Sequence, residues 1–179
     1  MELSRSLFDS PVGPLTLLAS ERGLSMVLWP GRKNSKKNPT MAPESSRHPV
    51  LDRTARQLKE YFDGARRAFE LPLDPQGSDF ELRVWRGLCA IGYGTTLSYG
   101  ALAQAIGNAK AAKAVGGATG RNPIPIVVPC HRLIGSDGGL GGFSGGLGVK
   151  QWLLNFESGV ASKPKVLSVN IMHDNGTAR

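Results

Sequence analysis

Positions 122–132 read NPIPIVVPCHR, and the chemistry of the chain should lie in this segment. Its middle, positions 124–128, is apolar and uncharged, which predicts a buried extended segment. That segment would deliver Cys130 to a break in the chain, next to His131 and Arg132. A thiol becomes a good nucleophile only as the thiolate, which needs a nearby cation, dipole or base. From spacing alone an inert buried thiol is an equal alternative, and the sequence leaves both interpretations open.

The composition around this stretch is that of an ordinary globular chain, with 179 residues, 40% hydrophobic and 20% charged. That length allows one large domain or two small ones. No apolar run approaches the ~18 residues of a membrane-spanning helix, and the first residues do not form a secretory signal. Two cysteines, Cys89 and Cys130, are too few for a disulfide framework or a four-thiolate zinc site. We therefore expect a reduced, cytoplasmic protein in which Cys89 is an inert buried thiol.

The formal net charge of +8 is unevenly distributed. Positions 82–156 contain one acid, Asp137, and the basic residues Arg83, Arg86, Lys110, Lys113, Arg121, Arg132 and Lys150. Such a balance is typical of a surface that binds a polyanion, although solubility alone explains it equally well. The basic run at 31–37 lacks apolar residues, so we expect it to be solvated, within a longer mobile loop at 32–48.

The first half of the chain predicts a small α/β unit. Three short β-rich runs, at 7–8, 15–18 and 24–29, alternate with turns that contain Gly or Pro, which indicates an antiparallel meander. A helix follows and ends at Gly64, with one apolar face formed by Leu51, Ala55, Leu58 and Phe62. The alternation of apolar residues at 69–73 predicts a last strand, at the edge of the sheet because it contains proline.

A turn at 75–77 marks a boundary, so we predict domains at 1–76 and 77–160 and a tail at 161–179. Ser78 and Glu81 have the spacing of a capping box, which predicts a helix start. That helix would carry one apolar face formed by Phe80, Val84, Leu88 and Ile91.

Two short helices are predicted further on. Ser98 is a suitable N-cap for a helix over 99–106, and Asn108 for a second helix over about 109–117. The second helix is rich in Ala and carries Lys113 outward. A helix-turn-helix fits this pattern, and a plain αα-hairpin fits it equally well.

The segment 122–132 closely resembles the active-site signature of the O6-alkylguanine-DNA alkyltransferases, a family of single-use DNA repair proteins. The resemblance covers most of the chain, at 10–15, 80–85, 98–100, 114–118, 150–154 and Glu157. It implies an N-terminal antiparallel sheet with a helix, a ribonuclease-H-like roll. It also implies a mostly helical C-terminal domain of winged helix-turn-helix-like form.

The same resemblance assigns the catalytic residues. Cys130 matches the family's alkyl acceptor, which attacks the alkyl carbon on guanine O6 and keeps the group as a stable thioether. His131 matches the His that acts on the Cys through a bridging water, and Glu157 matches the acid that orients the His. Asn122 matches an Asn that holds the turn, and Tyr99 the Tyr that donates a proton to the leaving guanine.

The resemblance also implies double-stranded DNA containing alkylated guanine as the partner, bound through the minor groove with the damaged base flipped into a pocket. O4-alkylthymine is a further candidate substrate. We expect a monomer, with cooperative assembly on DNA left open, and neither cofactor nor metal. The residues matched to substrate and DNA binding are Lys113, Ala112, Gly116, Arg121, Pro125, Arg132, Phe143, Ser144 and Gly145.

Two positions depart from the family pattern. Lys113 stands where an intercalating Arg is usual, and Lys lacks the planar guanidinium that stacks and donates as a fork. We therefore expect slower repair. Phe143 stands where some members have Tyr, so a hydroxyl is missing. Two other classes remain as alternatives: a non-catalytic binder of alkylated bases, against which Cys130 argues, and a Cys–His hydrolase unrelated to DNA.

Overall fold

The computed structural model describes residues 2–30 and 48–159. The predictions for the loop at 32–48, apart from His48, and for the tail at 161–179 lie outside the described residues. In the described part of the chain, no helix is long and apolar enough to cross a membrane.

The N-terminal half contains a three-stranded antiparallel meander, as predicted. Its strands are β1 (Ser4–Ser10), β2 (Gly13–Ser20) and β3 (Gly23–Leu28), in that order. Gly13 begins β2 with φ +106°, a conformation that glycine adopts without a steric penalty. In the same turn the Ser10 hydroxyl donates to the Gly13 carbonyl at 2.5 Å. The inward residues of β2 and β3 are almost completely buried and start the core.

The predicted edge strand at 69–73 is wrong. In this segment only Leu73 pairs, through an isolated bridge to Leu24. The Leu24 N–H donates to the Pro72 carbonyl, and the Asp74 N–H donates to the Leu24 carbonyl, both at 2.8 Å. Proline has no N–H to continue a ladder, so the segment covers part of β3 without forming a strand.

Helix α1 (Pro49–Phe62) was predicted, but its buried face is rotated by about one residue. Ala55 and Phe62 are only partly buried. Two polar side chains are buried because they have hydrogen-bond partners: Gln57 pairs with the backbone N–H and C=O of Glu70. The other, Thr54, donates to the carbonyl one turn earlier. The buried residues of α1 are Leu51, Thr54, Gln57, Leu58 and Tyr61.

The C-terminal half is mostly helical. Its elements are α2 (Asp79–Cys89), β4 (Leu97–Ser98), α3 (Tyr99–Ala105), α4 (Ala112–Gly120), β5 (Leu133–Ile134) and α5 (Leu147–Glu157). The predicted capping box starts α2: the Glu81 N–H donates to the Ser78 hydroxyl, and the Ser78 N–H donates to the Glu81 carboxylate at 2.8 Å. Strands β4 and β5 pair in parallel.

Helices α3 and α4 form the predicted two-helix unit, but α4 is shifted at both ends and stops at Gly120 instead of about position 117. Ser98 caps α3, accepting from the Ala101 N–H at 3.1 Å. Asn108 makes no side-chain cap, and 109–111 form a 3-10 turn, so the second helix begins at Ala112 and not at position 109. The Trp85 indole donates to the Ala118 carbonyl at 2.9 Å and fixes α4 on α2.

The run at 124–128 is buried, as predicted, but it is a turn and not an extended strand. Prolines at positions 123, 125 and 129 remove three backbone donors, so no ladder forms. Instead the Val128 N–H donates to the Ile124 carbonyl at 2.8 Å. Ile126 has φ +73°, which is rare for a β-branched residue and concentrates backbone strain just before Cys130.

One hydrophobic core joins the two halves of the chain. The Val27 N–H of β3 donates to the Pro123 carbonyl at 2.8 Å, so the turn at 124–128 is attached directly to the N-terminal sheet. Core residues come from β2, β3, α1, α2, α4, α5 and this turn. The turn is therefore anchored in the core, and this anchoring fixes the position of the segment with Cys130 that follows it.

Candidate active site

Cys130 begins a single 3-10 turn, Cys130–Arg132, that directly follows the buried turn at 124–128. The Arg132 N–H donates to the Pro129 carbonyl at 3.0 Å and closes this turn. Cys130 itself is 4% exposed. Its thiol is close enough to Tyr99 and Lys150 to influence the pKa of both groups.

Asn122 holds the turn that presents Cys130. Its amide Nδ2 donates to the Val128 carbonyl at 2.8 Å, and its Oδ1 accepts from the Ile124 N–H at 3.0 Å. The Asn122 side chain is buried, so both bonds are shielded from water. One side chain thus fixes both ends of the segment that contains the strained Ile126.

His131 and Glu157 form a buried pair beside the thiol. His131 Nε2 lies 2.9 Å from Glu157 Oε1, and Nδ1 has no hydrogen-bond partner among the described residues. Burial lowers the pKa of His131 despite the opposing effect of Glu157, so the ring is neutral near pH 7. Burial alone would raise the pKa of Glu157, but hydrogen bonds from His131 and Arg132 hold it at about 2. The carboxylate is therefore charged and the imidazole can accept a proton.

Three other residues also donate hydrogen bonds to Glu157. Arg132 donates from Nε to Oε2 and from Nη2 to Oε1, each at 2.9 Å. The Gly94 N–H donates to Oε2 at 3.1 Å, and the Tyr61 hydroxyl to Oε1 at 2.7 Å. Because Arg132 is buried in this network, it is not available at the surface for DNA, contrary to the sequence prediction.

Lys150 is a site residue that the sequence analysis missed, having counted it as part of a surface charge. It is completely buried, and its ammonium donates to the backbone carbonyls of Leu133 and Leu140. Burial lowers its pKa, while Cys130 acts in the opposite direction. With Lys150 and Arg132 buried, the exposed charge of the C-terminal half is smaller than the sequence balance indicates.

A cavity of about 590 Å³ lies between α3, α4 and the glycine-rich loop at 141–144. It brings together six of the predicted residues: Tyr99, Ala112, Lys113, Gly116, Phe143 and Ser144. Thr119, Gly120, Gly141 and Gly142 complete the lining. Cys130 is not among the lining residues, although its thiol influences the pKa of Tyr99, which does line the cavity.

The loop that contains Phe143 and Ser144 packs against Trp29, the residue that follows β3. The Trp29 indole donates to the Ser144 hydroxyl at 3.2 Å, and its ring packs edge-on to Phe143 with centroids 5.7 Å apart. Gly145 is needed for this approach, since a Cβ there would lie 2.7 Å from the indole. Phe143 in turn lies edge-on to His131, with ring centroids 6.5 Å apart.

Four of the residues predicted to bind substrate or DNA do not line this cavity: Arg121, Pro125, Arg132 and Gly145. Arg121 is exposed and paired with Glu81, its Nε 2.5 Å from the carboxylate oxygen. Pro125 is buried within the turn at 124–128. The prediction of a buried Cys89 is wrong, because this residue ends α2 and is exposed. In the described ranges no group of three or more His, Cys, Asp or Glu side chains could hold a metal ion.

Two family models match the chain. The model of the 6-O-methylguanine DNA methyltransferase ribonuclease-like domain matches residues 3–75, and the model of the DNA binding domain matches residues 79–159. The methylated-DNA–protein-cysteine methyltransferase of Methanosarcina barkeri is 42% identical over 151 residues, 84% of this chain and 94% of that protein. The protein of that name from Mycobacterium tuberculosis is 43% identical, over 83% of this chain and 88% of its own.

A solved structure is similar over nearly the same span. The crystal structure of Mycobacterium tuberculosis OGT in complex with DNA superposes with a TM-score of 0.81 at 40% identity, covering 88% of this chain and 94% of that one. The matched models divide the chain into a ribonuclease-like half and a DNA-binding half, and the structural similarity confirms the predicted fold class. The chain belongs to the 6-O-methylguanine DNA methyltransferase family, as its resemblance had indicated.

Proposed function

We propose that this protein repairs double-stranded DNA by moving a methyl or other alkyl group from guanine O6 to the sulfur of Cys130. Named relatives are methylated-DNA–protein-cysteine methyltransferases, and a solved neighbour is bound to DNA. The observation that carries the assignment to Cys130 is its position directly before His131, whose Nε2 faces the charged Glu157.

The geometry gives each group a task in the displacement. Glu157 accepts from Nε2–H of His131, which leaves the Nδ1 lone pair to take the thiol proton, through a water as in the family mechanism. The sulfur then attacks the alkyl carbon and the bond from that carbon to O6 breaks. Burial raises the pKa of Tyr99, with Cys130 adding to the effect, so its hydroxyl stays protonated and can donate to the departing guanine.

The product explains why each molecule reacts once. To restore the thiol, water would have to attack the alkyl carbon and displace a thiolate, which is too poor a leaving group for that under ordinary conditions. We therefore propose a stoichiometric reaction without cofactor or metal.

The cavity supports a DNA-binding mode in which a base leaves the duplex. Tyr99 and Phe143 offer rings beside the space, while Gly116 and Gly141 allow a planar base to come close to the backbone. Lys113 projects from the first turn of α4, beside Ala112, where it can fill the gap in the stack. We propose minor-groove contact through α4, with residues 1–76 supporting and 77–160 binding DNA, and a monomer as the reacting species.

One labelled transfer experiment tests the proposal. The protein is mixed with a molar excess of duplex DNA that carries radiolabelled O6-methylguanine. Recovery of one label per molecule in the peptide that contains Cys130 is the expected result. Binding without transfer would instead support a non-catalytic binder, and many turnovers a hydrolase.

Two serine variants sharpen the test. Cys130→Ser should abolish transfer while DNA affinity stays close to that of the unaltered protein. Cys89→Ser makes the same change at an exposed thiol and should transfer normally. Affinity for DNA should fall steeply with salt, because phosphate contacts release counterions.

A further inference from the structure

Glu157 receives one of its hydrogen bonds from the N-terminal half of the chain. Tyr61 of α1 donates its hydroxyl to Glu157 Oε1 at 2.7 Å, and His131 Nε2 lies 2.9 Å from the same oxygen. We propose that Tyr61 is a positioning residue for alkyl transfer, which fixes Oε1 of Glu157 and thereby the ring of His131. The inference rests on the proposed function, because it assigns Tyr61 a part in the same reaction.

Burial stabilises the hydrogen bond from the Tyr61 hydroxyl to Glu157. The Tyr61 side chain is 0% exposed, and a buried phenol needs a hydrogen-bond partner. Burial strongly raises the pKa of Tyr61, and the charge of Glu157 raises it further. The hydroxyl therefore stays protonated at neutral and acidic pH, where it donates to Glu157.

Packing from both halves fixes the direction of this hydroxyl. Four aromatic rings surround the Tyr61 ring, with centroid distances between 5.1 and 6.0 Å. They are Phe62, Phe69, Tyr93 and Phe156. A ring held on this many sides has little rotamer freedom, so the oxygen is delivered to one place. Tyr61 thus holds the carboxylate of Glu157, the last residue of α5, in one position.

The shared oxygen links Tyr61 to the protonation state of His131. A hydroxyl that donates to Oε1 offsets part of the carboxylate charge that His131 experiences. Without it, protonated His131 is stabilised more strongly and the neutral, reactive ring is less populated in acid. The titratable or charged groups that face Glu157 or His131 are Tyr61 from α1, Tyr93 before β4, Arg132 beside His131, and Lys150 from α5.

The test is Tyr61→Phe, which removes the oxygen and keeps the ring. We expect the single-turnover rate on O6-methylguanine duplex to fall roughly tenfold near neutral pH, the scale of one lost hydrogen bond to a charged group. We also expect the acidic limb of the pH–rate profile to move to higher pH. Tyr93→Phe is the matched control, because it also removes one phenol oxygen. The ring centroid of Tyr93 lies 6.0 Å from that of Tyr61, and the Tyr93 hydroxyl makes no hydrogen bond within the described ranges.

A second variant keeps the hydroxyl and covers the case in which Tyr61→Phe folds poorly. Site-specific 3-fluorotyrosine at position 61 is a stronger donor, so the acidic limb should move to lower pH. The positioning role is wrong if Tyr61→Phe matches Tyr93→Phe in rate and pH profile. It is also wrong if neither Tyr61→Phe nor 3-fluorotyrosine at position 61 moves the acidic limb of the pH–rate profile. In both cases the proposed function stands. Failure of the unaltered protein to transfer the label would overturn the proposed function and this role together.

Discussion

Arg132 donates to both carboxylate oxygens of Glu157, from Nε to Oε2 and from Nη2 to Oε1, each at 2.9 Å. The two side chains are 7% and 1% exposed, so the pair is shielded from solvent. The fork shape of the guanidinium allows the two bonds at once, which a lysine could not provide. Together with His131 and Tyr61 this pair makes Glu157 the junction of the site.

Stability should fall in acid in two steps. His131 has a pKa below its ordinary value of 6.5, so the unfolded chain binds this proton first and stability declines below about pH 6.5. Glu157 has a pKa of about 2 against an ordinary 4.5, so its contribution is complete above 4.5 and is lost between 4.5 and 2. The loss from Glu157 is on the order of 3 kcal/mol.

Urea unfolding across this pH range measures both steps. Glu81, whose pKa is also lowered to about 2, first by its hydrogen bond with Arg121, contributes at the surface. Glu81→Gln should therefore remove only a small part of the lower step. A free energy of unfolding that stayed constant between pH 7 and about pH 3 would contradict this account of the buried pair.

Lys113→Arg should raise the single-turnover rate on methylated duplex. A guanidinium at this position in the cavity wall adds a planar, stacking group, which stabilises the everted base better than an ammonium. Quenched-flow transfer of labelled methyl groups measures the rate. Lys110→Arg is the control, because Lys110 is exposed but does not line the cavity, and it should leave the rate unchanged. Equal rates for both variants and the unaltered protein would exclude a role for stacking.

Asn122→Asp should lower both stability and rate. The substitution keeps the acceptor for the Ile124 N–H but replaces the donor to the Val128 carbonyl by an oxygen, so two acceptors face each other in a buried place. We expect a loss of about 1–3 kcal/mol in the free energy of unfolding. Chemical denaturation and the transfer rate test it together. An unfolding curve like that of the unaltered protein would show that the turn is held by other contacts.

Gly145→Ala should slow transfer and leave DNA affinity nearly unchanged. The new Cβ would lie 2.7 Å from the Trp29 indole and 3.0 Å from the Phe143 ring, so the loop must move away from β3. Phe143 then loses its place beside His131. Gly148→Ala, at a helical position with open space around it, should behave as the unaltered protein. A loss of DNA affinity as large as the loss of rate would place the effect at the DNA surface instead.

Much of the fold was predictable because local signals agree with tertiary packing. The meander, α1, the capping box at Ser78 and the cap at Ser98 each depend on neighbours within a few residues. The errors occur where distant contacts decide. The segment 69–73 alternates like a strand, but it is paired to β3 at a single bridge. The run at 124–128 is apolar like a strand, but its prolines bend it into a turn.

The site was partly predictable for the same reason. The motif at 129–132 identifies the thiol and its neighbour, and six predicted residues do line one cavity. The count of charges could not show that Lys150 and Arg132 are buried. Lys150 donates to backbone carbonyls, and Arg132 pairs with Glu157, which lies just outside the counted positions 82–156. Tyr61 was missed because the predicted buried face of α1 was rotated by one residue. The three-residue spacing of Leu58 and Tyr61, which places both on one face of a helix, could have identified it.

The hydrogen bond from Val27 to Pro123 also covers the outer side of β3, next to the bridge at Leu24. A sheet edge with unpaired backbone groups is a template for pairing with other chains. Within the intact protein that edge is occupied by the segment that leads to Cys130. A fragment that ends before position 77 would lack Pro123 and leave the Val27 N–H of this edge unpaired, so the N-terminal half expressed alone should self-associate. The two halves therefore do not behave as independent modules.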